Sequence, residues 1–442
     1  MTATACPDPG AATRCATVSV PIEWDHPEKG NLELFVSVAK AQTATTKPPV
    51  LMLGGAYNSM QLGWATGQPP DTPSFSTDHD VVYVDRRGVG QSEGKVTCPE
   101  LQPYSVDLYT TRPLNDAESA AVAACRQHAD AGPIGVADLL DLDAVAHDLV
   151  AVRTAIGAPS WVIDTNGLGL DVAERVVGLD PNGVSGIVSY EPRRTDQPYD
   201  SSTFRSAFGA LAADCSAQPG CAAGGDLTAA LTTLHDRLAT GPVTTSVVDQ
   251  RTGQPVVLDL PIIQAGIADA LVDGSLQSVL PSLIRGDADG TADSAVAGYL
   301  ATLSSDKWTT ESWMIELYQC AGKLVSAAAA DAPFDHIGDV GDSHRCEAFG
   351  SVPTASPPNV HSAVPVLALV GAYDPETSVD RAGALLSGFA NAHVVALPHI
   401  GDPITQGGQC VRDMRDHFIA DPTVPVDTSC VSSLPPPSFA AP

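Results

Sequence analysis

The alternation of short apolar segments with helical patterns is the feature that most restricts what this chain can fold into. It runs from about residue 17 to residue 191, is then interrupted, and resumes at Val364. Such alternation is typical of a mostly parallel sheet with helices on both faces. The interrupting stretch is rich in Ala and helical in pattern. The sequence therefore predicts an α/β fold built from 1–195 and 359–442, with a helical cap domain inserted at 196–358.

Composition and charge narrow the class of protein. Hydrophobic residues make up 44% of the 442 residues and charged residues 17%, which is typical of a folded globular protein. The formal net charge of −29 argues against nucleic acid and membrane surfaces as partners, because both reward clusters of Lys and Arg. No apolar run reaches the length of a bilayer span. We expect a small-molecule substrate as the partner, and the sequence leaves the oligomeric state open.

The ten cysteines occur as sequence neighbours, and no pair has Cys-x-x-Cys spacing. An even number of cysteines that closes short loops is typical of disulfides in a secreted protein. The predicted pairs are Cys6–Cys15, Cys98–Cys125, Cys215–Cys221, Cys320–Cys346 and Cys410–Cys430. We expect a secreted or extracytoplasmic protein whose signal has been removed, because residues 1–5 lack a basic start and an apolar stretch. The alternative is a cytoplasmic protein with buried free thiols.

A strand, a sharp turn and a helix follow one another at 161–177. Enzymes that present a serine on such a turn carry Gly-x-Ser-x-Gly, because small flanking residues allow the backbone to fold tightly. We align Asn166 with that serine, so that Asp164 and Leu168 stand where the glycines would be. An amide cannot form an acyl-enzyme. On this alignment the nucleophile is absent.

Three further segments carry a resemblance to a known family. Cys15–Pro21 resembles its opening strand, Asp85–Ser92 its Asp-x-Arg-Gly-x-Gly-x-Ser loop, and Val364–Thr377 the strand and loop that deliver the catalytic acid. Over nearly its whole length the chain resembles the secreted tripeptidyl-aminopeptidase, proline-iminopeptidase-like branch of the α/β-hydrolases. The resemblance implies an α/β-hydrolase fold, an oxyanion hole, a catalytic acid at Asp374 and a cap that shapes the substrate pocket.

The chain departs from this family at the catalytic base. The family carries Gly-x-Gly-His after its last strand, whereas residues 397–402 read Leu-Pro-His-Ile-Gly-Asp. Asp402 therefore falls in the histidine position, and His399 lies three residues early. Carboxylates at 374 and 402 would repel each other unless one held a proton or a cation came between them, and the repulsion would raise the pKa of one of them towards neutrality. The sequence predicts a degenerate triad that does not perform ordinary Ser-His-Asp hydrolysis.

Residues that follow the carboxyl ends of the strands should converge on one crevice. The catalytic candidates, chosen for their acid, base or amide groups, are Asn166, Asp374, Asp402 and His399. Backbone N–H groups beside Gly55 and at Gly167 would form an oxyanion hole that survives loss of the serine. The oxyanion and substrate-binding candidates are Gly55, Ala56, Tyr57, Gly167, Glu191, Trp308 and Trp313. No histidines lie at zinc-finger spacing, and we expect neither a metal nor a cofactor.

Each candidate also has a purely structural interpretation. The glycines would make tight turns, Asn166 would occupy a left-handed turn, Asp402 would cap the helix after it, and the tryptophans would be core residues. The literal motif Gly-x-Ser-x-Gly at 90–94 is interpreted as a structural loop, because no apolar helix follows it at once.

Three functions of different classes agree with this sequence. The first is a non-hydrolytic enzyme that performs cofactor-free acid/base chemistry on a small organic molecule in natural-product biosynthesis, such as addition, cyclisation or carbon–carbon coupling. The second is a secreted aminopeptidase or esterase with a rearranged triad. The third is a catalytically inactive protein that binds a ligand. We favour the first, because carboxylates occupy two of the triad positions, although fold alone never determines function.

Overall fold

The computed structural model describes residues 1–6, 13–55, 73–96, 98–101, 116–132, 134–197, 201–249, 253–303, 332–335, 350 and 355–440. The strands are β1 Thr2–Thr4, β2 Thr13–Pro21, β3 Asn31–Ala39, β4 Val50–Gly54, β5 Val81–Val84, β6 Trp161–Asn166, β7 Val184–Tyr190, β8 Val243–Val248, β9 Pro255–Leu258, β10 Val366–Gly371 and β11 Ala392–Leu397.

Among the described residues, α-helices alternate with strands before β7 and after β10. Between β7 and β10 most of the elements are helices. They are α1 Asp116–Asp130, α2 Val136–Leu140, α3 Leu142–Ala155, α4 Gly169–Leu179, α5 Ser201–Ala217, α6 Pro219–Ala222, α7 Leu227–Ala239, α8 Leu260–Val272, α9 Gly274–Gln277, α10 Leu280–Asp289, α11 Asp293–Leu303, α12 Val379–Leu385, α13 Pro403–Gln406 and α14 Gly408–Ala420.

Nine of the strands form one sheet in the order β1-β2-β3-β5-β4-β6-β7-β10-β11. The pairs from β5 to β11 are all parallel, and β1, β2 and β3 join them through antiparallel pairs. Strand β10 reads Val-Leu-Ala-Leu-Val-Gly with every residue buried, as expected for a parallel strand covered on both faces. The predicted α/β-hydrolase fold with a mostly parallel sheet is confirmed.

Helices cover the two faces of this sheet and build a separate core on each. On one face, Val145 and Leu149 of α3 pack with Val172 of α4 against Ile163 of β6. On the other face, residues of α14 such as Phe418 pack against the opposite side chains of the same strands. Because both faces are covered, the edge at the carboxyl ends of the parallel strands remains as the place where polar side chains can meet.

The residues from Ser201 to Leu303, called the insertion here, form a third core outside the sheet. Apolar side chains of its helices make this core, among them Phe204, Phe208, Leu211, Leu234 and Ile263. Strands β8 and β9 pair only with each other, so the described part of 196–358 adds no strand to the nine-stranded sheet. This antiparallel pair was not expected from the sequence. The exact domain boundaries stay predictions.

The C-terminal tail packs against the insertion. Phe439 lies in the apolar core of the insertion, although we had assigned 359–442 to the sheet. The side chain of Gln218 holds the tail, because its Nε2 donates to Pro437 O (2.7 Å) and its Oε1 accepts from Phe439 N (3.3 Å). The last residues of the chain therefore join the sheet-forming part to the insertion.

Four of the five predicted disulfides are present: Cys6–Cys15, Cys98–Cys125, Cys215–Cys221 and Cys410–Cys430. Cys320 and Cys346 lie outside the described residues. Disulfides are consistent with the expected extracellular location. Within the part of the chain that the structure describes, we find no helix with the length and apolar character needed to span a bilayer.

Candidate functional site

The turn between β6 and α4 has the geometry of an elbow that presents a nucleophile, and Gly167 is the residue at its apex. Gly167 has φ +49°, in the left-handed region where side chains are strained. Gly169 packs so closely that a Cβ there would lie 1.9 Å from Thr165 Oγ1 and 2.2 Å from Gly54 O. The small-x-apex-x-small pattern is therefore Thr165, Gly167 and Gly169. Our alignment, which placed Asn166 at the apex, was one residue too early.

The backbone of Gly167 is held by two hydrogen bonds. Its N–H donates to Tyr190 O (2.9 Å), and its carbonyl accepts from Arg193 N (3.0 Å). The first bond occupies the N–H that the sequence had suggested as an oxyanion-hole donor. With no side chain at the apex and its N–H engaged, Gly167 offers neither a nucleophile nor a free donor.

The guanidinium of Arg193 covers the apex of the turn. A Cβ on Gly167 would lie 3.2 Å from Arg193 Nη2. Arg193 also forms an ion pair with Glu376, which follows β10. The space into which a serine at position 167 would extend is thus occupied by a cation. Sequence reasoning missed both residues, because nothing in the sequence indicates that Arg193 folds back over the turn.

Two buried carboxyl groups lie at the same edge, one after β7 and one after β10. Glu191 follows β7 directly, has φ +49°, and its N–H donates to Leu369 O (3.0 Å). Burial raises the pKa of Glu191 well above its usual range, and the negative charges of Asp374 and Asp402 raise it further. Burial also raises the pKa of Asp374 to about 7, and the charge of Glu376 adds to this effect. Both groups therefore hold their protons more tightly than exposed carboxyl groups do.

The hydrogen bonds of these groups are incomplete. Asp374 is 4% exposed, and its Oδ1 accepts from Glu376 N (2.8 Å). Its Oδ2, Glu191 Oε1 and Asn166 Oδ1 are buried without a hydrogen-bond partner among the described residues. Buried polar atoms are almost always paired, so each of these three needs an explanation.

Asp402 has a capping role. Its carboxylate accepts from Ile404 N (2.7 Å) and Thr405 Oγ1 (2.9 Å) at the start of α13. This is the structural alternative considered for Asp402, and it occupies both carboxylate oxygens. The charge of Asp402 still acts on the site, because it raises the pKa of Glu191.

His399 is turned towards the insertion. It has φ +68°, and its Nδ1 lies 2.6 Å from Asp214 Oδ2 on α5. The hydroxyl of Tyr373 donates to the same oxygen. Asp214 was not predicted, since nothing in α5 distinguishes it from a surface carboxylate. The structure thus pairs the histidine with a carboxylate of the insertion instead of with Asp374.

The remaining predicted residues fall into two groups. Gly55 lies after β4, where its carbonyl accepts from Arg86 Nη2 (3.3 Å). Ala56, Tyr57, Trp308 and Trp313 lie outside the described residues, so their predicted roles stay predictions. Ser92 is 2% exposed, and its Oγ accepts from Phe35 N (2.8 Å) and donates to Asp85 O, as expected for a structural loop.

An apolar cavity lies within the insertion. It lies between α7, α8, α9, α10 and α11, and its lining residues are Leu234, Ile263, Gly266, Ile267, Ala270, Leu276, Leu280, Leu283, Ile284, Val296, Tyr299 and Leu300. Tyr299, the single polar side chain of this lining, donates its hydroxyl to Asp269. In the described ranges, no three His, Cys, Asp or Glu residues are grouped so that they would hold a metal ion.

Residues 332–430 match the family of TAP-like proteins. Proline iminopeptidase from Mycobacterium smegmatis is 14% identical with a TM-score of 0.39, over 92% of this chain and 98% of that one. A thermophilic esterase from Thermogutta terrifontis is 12% identical with a TM-score of 0.37, over 91% and 98%.

A loop variant of a haloalkane dehalogenase from Bradyrhizobium elkanii is 16% identical with a TM-score of 0.41, over 93% of this chain and 97% of that one. No curated protein matches the sequence significantly. None of these solved structures is similar enough for its activity to be assigned to this chain. The nine-stranded sheet and the family match identify the chain as a protein of the α/β-hydrolase fold whose residues 332–430 match the TAP-like family.

Proposed function

We propose that this protein is an enzyme that performs acid/base chemistry on a small organic molecule without a covalent acyl-enzyme. The observation that carries the proposal is the apex of the turn, where Gly167 has no side chain and the Arg193 guanidinium covers it. Serine hydrolysis requires a hydroxyl at that point and a base beside it. We place the reaction instead at the two buried carboxyl groups of the same edge.

Glu191 and Asp374 have the complementary properties of a general acid and a general base. Burial raises the pKa of Glu191 well above its usual range, which suits Glu191 to the role of the acid. Asp374, with a pKa raised by burial to about 7, loses its proton in the neutral pH range. A base is most effective when its pKa lies near the working pH, and two acids whose pKa values are separated can divide the two roles. The charge of Asp374 acts on Glu191, so we treat the two groups together as the catalytic unit.

Base catalysis by this pair is tested with a reaction that needs only a desolvated carboxylate. In the elimination of 5-nitrobenzisoxazole the base removes the proton on C3, the N–O bond breaks, and a cyanophenolate is released. We expect the rate to exceed that of an equal concentration of acetate and to increase as the pH rises through about 7, where Asp374 ionises. Asp374→Asn should remove this rate, whereas Glu174→Gln, which changes a buried carboxyl on α4, should keep it.

Labelling with a fluorophosphonate tests the other half of the proposal. The probe needs an activated hydroxyl, and we expect no label on the unmodified protein. A labelled serine, located by peptide mapping, would contradict the proposal and favour hydrolysis.

A hydrolase with a rearranged triad is the second candidate, and one contact favours it. The Nδ1 of His399 is bonded to the Asp214 carboxylate, which is how a general base is oriented in a triad. In this alternative, His399 activates a water or a hydroxyl from outside the described residues. If His399→Gln and Asp214→Asn remove cleavage of aminoacyl or ester substrates, while Asp374→Asn does not, the second candidate replaces the first.

A further inference from the structure

The C-terminal tail, defined here as residues 435–440, crosses from the sheet-forming part to the insertion. Its start is fixed, because the Cys410–Cys430 disulfide ties the chain to α14 and Leu434 packs against the apolar core on that face of the sheet. Its end lies on the insertion, where Phe439 is 9% exposed and belongs to the apolar core. The tail therefore connects two parts of the molecule through noncovalent contacts.

Three hydrogen bonds join the main chain of the tail to the insertion. The side chain of Gln218 makes two of them, since its Nε2 donates to Pro437 O (2.7 Å) and its Oε1 accepts from Phe439 N (3.3 Å). In the third, Ala440 N donates to Ser278 O (2.9 Å) at the end of α9, where a helix leaves carbonyl groups without partners of its own. We call Gln218, Ser278 and the apolar core around Phe439 the seat of the tail.

The sequence of the tail suits it to binding as an extended peptide. Pro435–Pro437 are three consecutive prolines. Each fixes φ near −65°, so that the free tail has fewer conformations to lose when it docks. Proline also has no N–H, which leaves Ser438, Phe439 and Ala440 as the N–H donors of the tail. The last two of these donate to the insertion, and Ser438 is exposed.

The seat is linked to a contact between the insertion and the sheet-forming part. The Cys215–Cys221 disulfide closes the short loop that contains Gln218, and both cysteines are buried in the core of the insertion. Asp214 directly precedes this loop, and its Oδ2 lies 2.6 Å from His399 Nδ1. Because a short crosslinked loop in a packed core has few conformations, a displacement of Gln218 is passed on to Asp214.

We infer that the seat is a peptide-binding site for the chain's own C-terminal tail, and that the docked tail is a latch that keeps Asp214 against His399. The ligand of the seat is an extended peptide with a proline carbonyl, an aromatic side chain two residues later and the N–H of the next residue. Main-chain hydrogen bonds provide affinity in such recognition, and the pocket for the side chain provides specificity. The inference is independent of the proposed function, because it uses neither Glu191 nor Asp374.

Hydrogen exchange of the full-length protein, followed by mass spectrometry, tests the latch. Gln218→Ala removes two hydrogen bonds to the tail, and Phe439→Ala removes its apolar anchor. In both variants we expect amides in 210–222 to exchange at least tenfold faster, because this segment loses its contacts with the tail, while α3 and α4 stay within twofold of the wild type. Ser438→Ala is the matched control, since Ser438 is exposed, and should stay within twofold throughout.

A synthetic peptide of residues 434–442, Leu-Pro-Pro-Pro-Ser-Phe-Ala-Ala-Pro, tests the seat. In calorimetric titrations we expect it to bind full-length Phe439→Ala saturably and with one site, because the variant tail no longer fills the apolar part of the seat. Wild-type protein, whose seat is filled, should bind the peptide at least tenfold more weakly. The same peptide with Ala in place of Phe should also bind the variant at least tenfold more weakly. The bound peptide should return exchange in 210–222 to within twofold of the wild type.

Several outcomes overturn the inference. Unchanged exchange in both variants, or an increase that is equal in α3, α4 and 210–222, would mean that the tail does not hold this segment in particular. Failure of the peptide to bind Phe439→Ala, or equal binding to the variant and the wild type, would mean that the seat is not a peptide site. If Phe439→Ala does not fold, Gln218→Ala decides the exchange measurement, because it leaves the apolar core intact.

Discussion

Two buried aspartates in this protein differ in how their oxygens are satisfied. Asp171 on α4 is fully buried and accepts from Arg175 Nε (2.9 Å), Thr195 N (3.1 Å) and Thr195 Oγ1 (2.6 Å). Asp374 is almost as buried, but its Oδ2 has no partner in the described part of the chain. A satisfied buried carboxylate contributes to the fold, whereas an unsatisfied one costs stability. Burial alone therefore does not distinguish a site residue from a structural one.

The same substitution at the two aspartates should have opposite effects, and the larger effect is at Asp171. Asp171→Asn removes one of the two carboxylates paired with the buried Arg175 guanidinium, the other being Asp143, and we expect the free energy of unfolding to fall by about 2–3 kcal/mol. Urea denaturation followed by circular dichroism measures this. Asp380→Asn, an exposed aspartate on α12, is the control and should change stability by less than about 0.5 kcal/mol. If Asp171→Asn lowers the free energy of unfolding no more than Asp380→Asn does, Asp171 is not a stabilising buried carboxylate and does not differ from Asp374 in this way.

Asp374→Asn should instead stabilise the protein, and only at higher pH. The pKa of Asp374 is about 7 in the folded state against 3.8 for the free group, so the folded state holds the proton more tightly. The stability contributed by that proton is present at low pH and is lost as the pH rises from about 4 to about 7. We expect the variant to exceed the wild type by about 1–3 kcal/mol at pH 8, and the difference to shrink at pH 4. Urea denaturation at both pH values measures it, and an equal difference at both would contradict this assignment.

Replacing Gly167 or its neighbour Asn166 with Ala tests which of the two residues is the apex of the turn. Gly167→Ala puts a Cβ on a residue with φ +49° and against the Arg193 guanidinium, and should cost about 1–2 kcal/mol. Asn166→Ala removes a buried oxygen that has no described partner and should cost clearly less. The midpoints of thermal unfolding of the two variants rank them. The reverse order would return the apex to Asn166, as the sequence had suggested.

The smallest effect is expected at Asp402. Asp402→Ala removes the cap of α13, a helix of four residues, and should cost about 0.5–1 kcal/mol. In the elimination assay, Asp402→Ala should keep most of the wild-type rate, whereas Asp374→Asn should abolish it. If Asp402→Ala removes the rate as completely as Asp374→Asn does, Asp402 belongs to the catalytic group and is more than a cap.

Part of the site could be predicted because it follows from the ends of strands. Glu191 and Asp374 were found by their positions after apolar strands, and parallel strands end at the same edge. The elbow was found as well, but its apex was misplaced by one residue. The small residues that could have corrected the register were Thr165 and Gly169, which show their role only when the backbone of Gly54 is seen beside them.

The rest of the site depends on contacts between distant parts of the chain. Asp214 reaches His399 across 185 positions, and Arg193 lies over Gly167 because the chain reverses after β7. The tail that we had assigned to the sheet instead contributes Phe439 to the core of the insertion. No local pattern encodes these contacts, since each is decided by how separate elements pack.

The sequence by itself determined the α/β fold and the four described disulfides, because hydrophobic periodicity, chain order and short loops are local properties. The hydrolase assignment came from the resemblance of its motifs to a known family. Only the tertiary structure decided which residue is the apex of the turn, since backbone φ and close packing select Gly167. It also decided that the carboxylates of Asp171 and Asp402 have hydrogen-bond partners, while Asp374 Oδ2 has none among the described residues. The physical reason is that hydrogen-bond satisfaction and pKa depend on the groups that surround a side chain in space, and these come from the whole chain.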